Sequence, residues 1–132
     1  MSDETTALLL QRSQQLLDCI SEGDWPTYEG LCDTDLTAFE PEARGQRVTG
    51  LGFHRYYFDL EQAPGTRQTT MVDPQVRLLG ENAALVTYIR LVQCMSTNGP
   101  MTTRCEETRI WEKRDGTWVH THFHRSDNSG TP

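Results

Sequence analysis

Three arginines and one glutamate occupy strand positions from which they could bind a small anion together. Arg90 interrupts the apolar run ALVTYIRLV, and Glu107 and Arg109 sit two apart in CEETRIWEKR, with Arg125 closing VHTHFHR. A guanidinium within an apolar strand is costly unless it is paired or faces a wet cavity, and arginine is the residue best shaped for bidentate carboxylate or phosphate binding. His54, in GFHRYYF, could act as a general base or as a hydrogen-bond donor to the same ligand, with Tyr57 one helical turn further on. The alternative is an internal ion-pair network in which Glu107, Glu40 or Glu42 neutralises the arginines. With a single glutamate on the arginine face, an excess of positive charge remains for a ligand.

Two further clusters compete for attention. His120, His122 and His124 alternate along one strand and so share a face, but they spread over about 13 Å and cannot all reach one ion. They are expected on the outer face, in a packing or interface role, and no metal or other cofactor is expected. Glu40, Glu42, Glu106 and Glu107 could supply acid–base chemistry if an apolar pocket raised a carboxyl pKa, whereas beside arginines such a group stays ionised.

Strand register decides whether these residues meet. Alternation from Thr103 to Trp111 marks a strand with two differently occupied faces, and a second strand runs from Thr117 to about Arg125. Read as a type I turn with a glycine bulge, Lys113-Arg114-Asp115-Gly116 pairs Lys113 with Thr117. It places Arg109 opposite Thr121 and on the same face as Phe123 and Arg125. A two-residue Asp-Gly loop would send Arg125 to the other face. If the Asn98-Gly99 loop closes tightly, Arg90 lies opposite Glu107.

Helices precede these strands. Leu9, Leu10, Leu16, Leu17 and Ile20 form one stripe of a helix from about Glu4 to Glu22, ended by Gly23. Asp24 caps a short second helix with Pro26 in its first turn. A short strand, Leu36 to Glu40, is broken by Pro41. A third helix spans Leu51 to about Glu61 and is stopped by Ala63-Pro64-Gly65. Strands then follow at about 69–79, 83–95, 102–113 and 117–125. This order predicts an α+β fold in which a curved antiparallel sheet wraps over the N-terminal helices, leaving a pocket between the layers. A single domain over 1–126 is expected, with a disordered tail at 127–132.

Composition narrows the partners. Net charge is -7, yet residues 1–42 hold ten acids and one arginine, whereas residues 43–132 hold nine acids and eleven basic groups. No basic run or basic amphipathic helix offers a footprint for nucleic acid or an anionic membrane, so neither is an expected partner. Cys19, Cys32, Cys94 and Cys105 form no CxxC pair and read as reduced, buried residues. An acidic N-terminus without a secretory signal makes a cytoplasmic location the expectation.

Three segments carry a family resemblance: LTAFEPEARGQRVTGLGFHRYYF at 36–58, TYIRL at 87–91 and EETRIWEKRDGTWVHTHFHRS at 106–126. With SEGDWPTYEGLCD and the helical opening they resemble the association, or hub, domain of calcium/calmodulin-dependent protein kinase II. The resemblance implies a cone-shaped nuclear transport factor 2-like fold, shared with ketosteroid isomerases and polyketide cyclases. It also implies assembly of dimers, with ring assembly available to them. A cavity that takes small carboxylates in some hubs would here be lined by His54, Arg90, Arg109 and Arg125. The chain contains no Gly-rich loop, catalytic His-Arg-Asp, Asp-Phe-Gly or calmodulin-binding helix, so a free-standing hub-like protein is expected rather than a kinase. A non-catalytic homo-oligomeric module that binds a small carboxylate or an acidic peptide segment is the first expectation. A small isomerase, cyclase or dehydratase acting on a carboxylate-bearing substrate is the alternative, and a separately encoded partner protein is a third.

Overall fold

A computed structural model describes residues 2–60 and 67–127. Helix α1 (Ser2–Glu22) turns through Gly23 into α2 (Trp25–Leu31), whose N-cap Asp24 accepts from the Thr27 backbone N–H. The chain passes directly into β1 (Cys32–Phe39), a short 3-10 turn over Pro41–Ala43, and β2 (Val48–Thr49). Helix α3 (Gly52–Asp59) then leads to four long strands: β3 (Arg67–Leu78), β4 (Ala83–Ser96), β5 (Gly99–Arg114) and β6 (Thr117–Arg125). The expected stop at Ala63-Pro64-Gly65 and most of the expected tail lie outside the described residues.

All six strands form one sheet in the order β2-β1-β6-β5-β4-β3. The α+β order holds, with two additions that local periodicity did not give. The β1 strand is longer than its apolar core suggests and runs parallel to β6, an exception in an otherwise antiparallel sheet. The two-residue β2 pairs with β1 at the edge. On the opposite edge, β3 is interrupted at Asp73-Pro74, where Asp73 takes φ 52° and the register with β4 shifts. A proline and a bulge bend an edge strand and blunt it against open-ended pairing.

The core lies between the helices and the inner face of the sheet. Leu9, Leu16 and Leu17 of α1 and Tyr28 of α2 pack against Leu36, Ala84, Val86 and Trp111, all essentially inaccessible to solvent. The helical stripe closes on the sheet because a 3.6-residue period gathers its leucines on one side of α1, as the period of two gathers the inward-facing residues of each strand on one side of the sheet. Several polar groups caught in this layer are paired, with the Trp111 indole donating to Ser13 Oγ at 3.2 Å and Ser21 meeting Thr69 at 2.8 Å. At one end the layers diverge, and inward-facing side chains there line a cavity of about 450 Å³.

Candidate functional site

The β5–β6 hairpin turns through Asp115-Gly116 alone, both at positive φ (52° and 81°), with Arg114 paired to Thr117. This is the two-residue type I′ geometry that Asp-Gly favours, not the three-residue bulged loop expected. Arg125 nevertheless faces inward. Between Trp111↔His120 and Ile110↔His122 the register shifts by one residue, leaving Thr121 as a β-bulge whose hydroxyl reaches the Ile110 carbonyl. The bulge returns Phe123 and Arg125 to the inner face, opposite Arg109 and Glu107.

The same bulge divides the histidines. His120 lies on the inner side of it and is fully buried, whereas His122 and His124 face outward beside Phe39, with His122 bonded to Thr37 at 2.7 Å. The expectation that all three share the outer face is therefore corrected. Among the described residues no group of three or more His, Cys, Asp or Glu side chains is arranged to hold a metal.

The β4–β5 register places Tyr88, not Arg90, opposite Glu107, and Arg90 opposite Cys105. The offset is two residues, so the inward face is preserved and Arg90 still reaches Glu107 diagonally at 3.0 Å. Around Glu107, whose side chain is completely buried, the groups form a closed network. Arg109 donates Nη2 to Glu107 at 2.9 Å and Nε to the Tyr88 hydroxyl at 2.7 Å, and Tyr88 donates to Glu107 at 2.5 Å. The Arg109 guanidinium also lies over the Phe123 ring, 4.4 Å from its centroid.

Electrostatics fix the protonation states in this network. Burial alone would raise the Glu107 pKa, but Arg109, Arg90 and the Tyr88 hydrogen bond outweigh it and hold the carboxyl at about 2. Burial, then the Arg109 charge, push His120 well below its ordinary value, so it is neutral. Arg109 Nη1 faces His120 Nε2 at 3.3 Å and can only donate, so Nε2 accepts. The proton must then sit on Nδ1, directed at Cys32 Sγ 3.4 Å away. Burial pushes that thiol up to about 12, which leaves it unreactive.

A second network lies nearer the opening. Arg125, with an 11% exposed side chain, donates to Glu42 and lies 3.9 Å from Glu40. Glu40 in turn meets His54 Nε2 at 2.6 Å. The short turn over Pro41–Ala43 brings both glutamates to the end of β6: Glu40 precedes it in extended conformation, and Arg44, at φ 57°, ends it. Glu42 is 39% exposed, and its pKa, raised by burial, is drawn below the ordinary value by Arg125.

His54, Arg90, Arg109, Arg125 and Tyr57 all line the cavity, with Glu107 paired beneath it. The expected assembly is thus brought together, but not the expected charge excess, because Glu40, Glu42 and Glu107 meet the three arginines in a near-balanced set. Two nitrogens of this lining, Arg90 Nε and His54 Nδ1, are buried and have no hydrogen-bond partner among the described residues. Sequence reasoning missed Tyr88, His120 and Arg67. Tyr88 stands two residues from Arg90 and so had to share its face, and His120 was hidden by the bulge. Arg67, on β3 opposite Cys94, also lines the cavity. It fell in the segment read as a loop before the strand.

Comparison with known proteins places this architecture. A family model, the calcium/calmodulin dependent protein kinase II association domain, matches residues 6–129. The calcium/calmodulin-dependent protein kinase type II subunit delta of Oryctolagus cuniculus is 45% identical over 127 residues, covering 94% of this chain and 24% of that protein. This chain therefore spans about a quarter of that relative. The hub homology domain of the Chlamydamonas reinhardtii kinase is 46% identical, with a TM-score of 0.88 over 92% of this chain and 96% of that one. A nuclear transport factor 2-like superfamily protein from Salmonella enterica shares the fold alone, at 16% identity and a TM-score of 0.79 over 100% of this chain and 96% of that one.

Proposed function

Because this chain belongs to the calcium/calmodulin dependent protein kinase II association-domain family, we propose that it is a non-catalytic homo-oligomerising module whose cavity binds a small carboxylate. The observation that carries the oligomer is the outer face of the sheet. Val72, Leu85, Ile89, Leu91, Met95, Ile110 and Val119 lie on the face opposite the core, and all are partly or largely exposed. Apolar side chains of this number, interspersed with Thr87, Arg104, Glu106 and Thr108 on one sheet face of a 15.1 kDa chain, call for a cover, and a second copy related by a two-fold axis supplies one. Sedimentation velocity at low micromolar concentration tests it: a dimer or larger species is expected, and a monomer would refute it.

The carboxylate reading is supported by the donors left over once the internal pairs are formed. Arg90 and Arg125 both line a cavity walled by Tyr28, Phe58, Val92 and Phe123, and among the described residues Arg125 engages Glu42 and Glu40 through Nη2 alone. A ligand carboxylate there gains charge-assisted hydrogen bonds from groups already held in place. Thermal stabilisation of the intact protein by butyrate, absent in Arg125→Ala, is the expected result.

One contact favours the enzymatic alternative. His54 held at Nε2 by Glu40 at 2.6 Å has the form of a base oriented by a carboxylate. Glu107 cannot serve as that base, because two arginines keep it ionised and enclosed. Deuterium exchange at the α-carbon of bound carboxylates, followed by NMR, would favour catalysis if it occurred and were lost in His54→Gln.

A further inference from the structure

We infer that Arg67 makes this cavity a site for dicarboxylates, with one carboxylate held by Arg90 and Arg125 and the other at the mouth by Arg67. The inference rests on the carboxylate-binding reading above and adds the class of ligand. Four arginines line the cavity, Arg67, Arg90, Arg109 and Arg125, while three carboxylates are engaged with them: Glu40, Glu42 and Glu107. Arg90 and Arg109 share Glu107, and Arg125 is met by Glu42 and Glu40. Arg67 makes no ion pair with any described residue, so it carries the surplus positive charge of the lining.

Its position fits a second anion rather than the first. Arg67 shares the inward-facing parity of Thr69 and Met71 on β3 and pairs with Cys94 of β4, four residues along that strand from Arg90. Four residues separate the two backbone positions by about 13 Å, and two long side chains reaching into the same cavity shorten that gap. The wall between them is Val92, with Cys94 at the Arg67 end, and it offers an apolar track for a methylene chain. Arg67 is exposed, so its guanidinium stays hydrated until a ligand arrives. It therefore discriminates between ligands without being needed to hold the fold.

Calorimetric titration of the full chain with succinate, glutarate and adipate, each against the monocarboxylate of equal carbon number, tests this. Wild type should bind the best-fitting dicarboxylate roughly fivefold more tightly than its partner, the size of one favourable exposed ion pair. Arg67→Gln should erase that preference while leaving monocarboxylate affinity and thermal midpoint unchanged. Arg77→Gln, which removes the same charge from an exposed position further along β3, should leave the preference intact. A preference that survives in Arg67→Gln, one lost equally in Arg77→Gln, or none in wild type would overturn the inference while monocarboxylate binding still supported the site. Absence of binding by either class in wild type would refute the carboxylate reading itself, and the inference with it.

Discussion

The two charged networks of the cavity are built from the same residue types and do opposite things. In the inner one, Glu107 is enclosed by Arg90, Arg109 and Tyr88, and the Arg109 and Glu107 side chains are at most 1% exposed. In the outer one, Arg125 meets Glu42 and Glu40 around a turn, and Glu42 is 39% exposed. An enclosed ion pair has no route to an external ligand without leaving a bare charge in the interior, while a partly wet pair can exchange partners at small cost. Burial, rather than residue type, thus separates the structural Arg109, 1% exposed, from the ligand arginines Arg90 and Arg125, each 11% exposed, with Arg90 bridging the two networks.

The sharpest way to break this contrast is to remove one arginine from each network. Arg109→Ala leaves Glu107 buried with only Arg90 opposite and should destabilise the fold by about 3–5 kcal/mol in urea titration. Arg125→Ala should cost only about 1 kcal/mol yet abolish stabilisation by butyrate. Equal losses in the two variants would mean that the networks do not differ as described.

Acid sharpens the comparison further. His120 binds a proton in the unfolded chain but not in the folded one, so stability should begin to fall as pH drops through its ordinary value of 6.5. Glu107 has a folded pKa of about 2 against an ordinary 4.5, so its contribution is complete above 4.5 and lost as pH falls toward 2. Thermal midpoints measured from pH 8 to pH 3 should therefore decline in two stages, and His120→Gln should remove most of the upper one, leaving the smaller part due to His122, which burial also holds below 6.5.

The hairpin shows how far sequence could lead. Alternation located all four long strands, and the inward face of Arg90, Arg109 and Arg125 was legible because the misjudged β4–β5 register was off by an even number of residues. The β5–β6 turn was misjudged as well, and the correct face for Arg125 followed because a bulge at Thr121 compensated. A bulge leaves no mark in alternation when the bulged residue is threonine and its neighbours on both sides are histidine, so His120 was placed on the wrong face. The carboxylates balancing the arginines were nameable, but their number was not, since Glu40 and Glu42 reach Arg125 only through a short turn and a parallel strand pairing far from it in sequence.

The smallest effect is expected furthest from the cavity. Arg114 pairs with Asp33 at 2.7 Å across the surface, and Arg114→Ala should leave both the unfolding midpoint and butyrate stabilisation within error.

A crystal structure of the protein soaked with glutarate tests the division between the two networks most directly. A carboxylate bonded to Arg125 and Arg90 is expected, with the Glu107–Arg109 pair unmoved. A carboxylate seated on Arg109 with that pair broken, or glutarate bound only outside the cavity, would contradict that division.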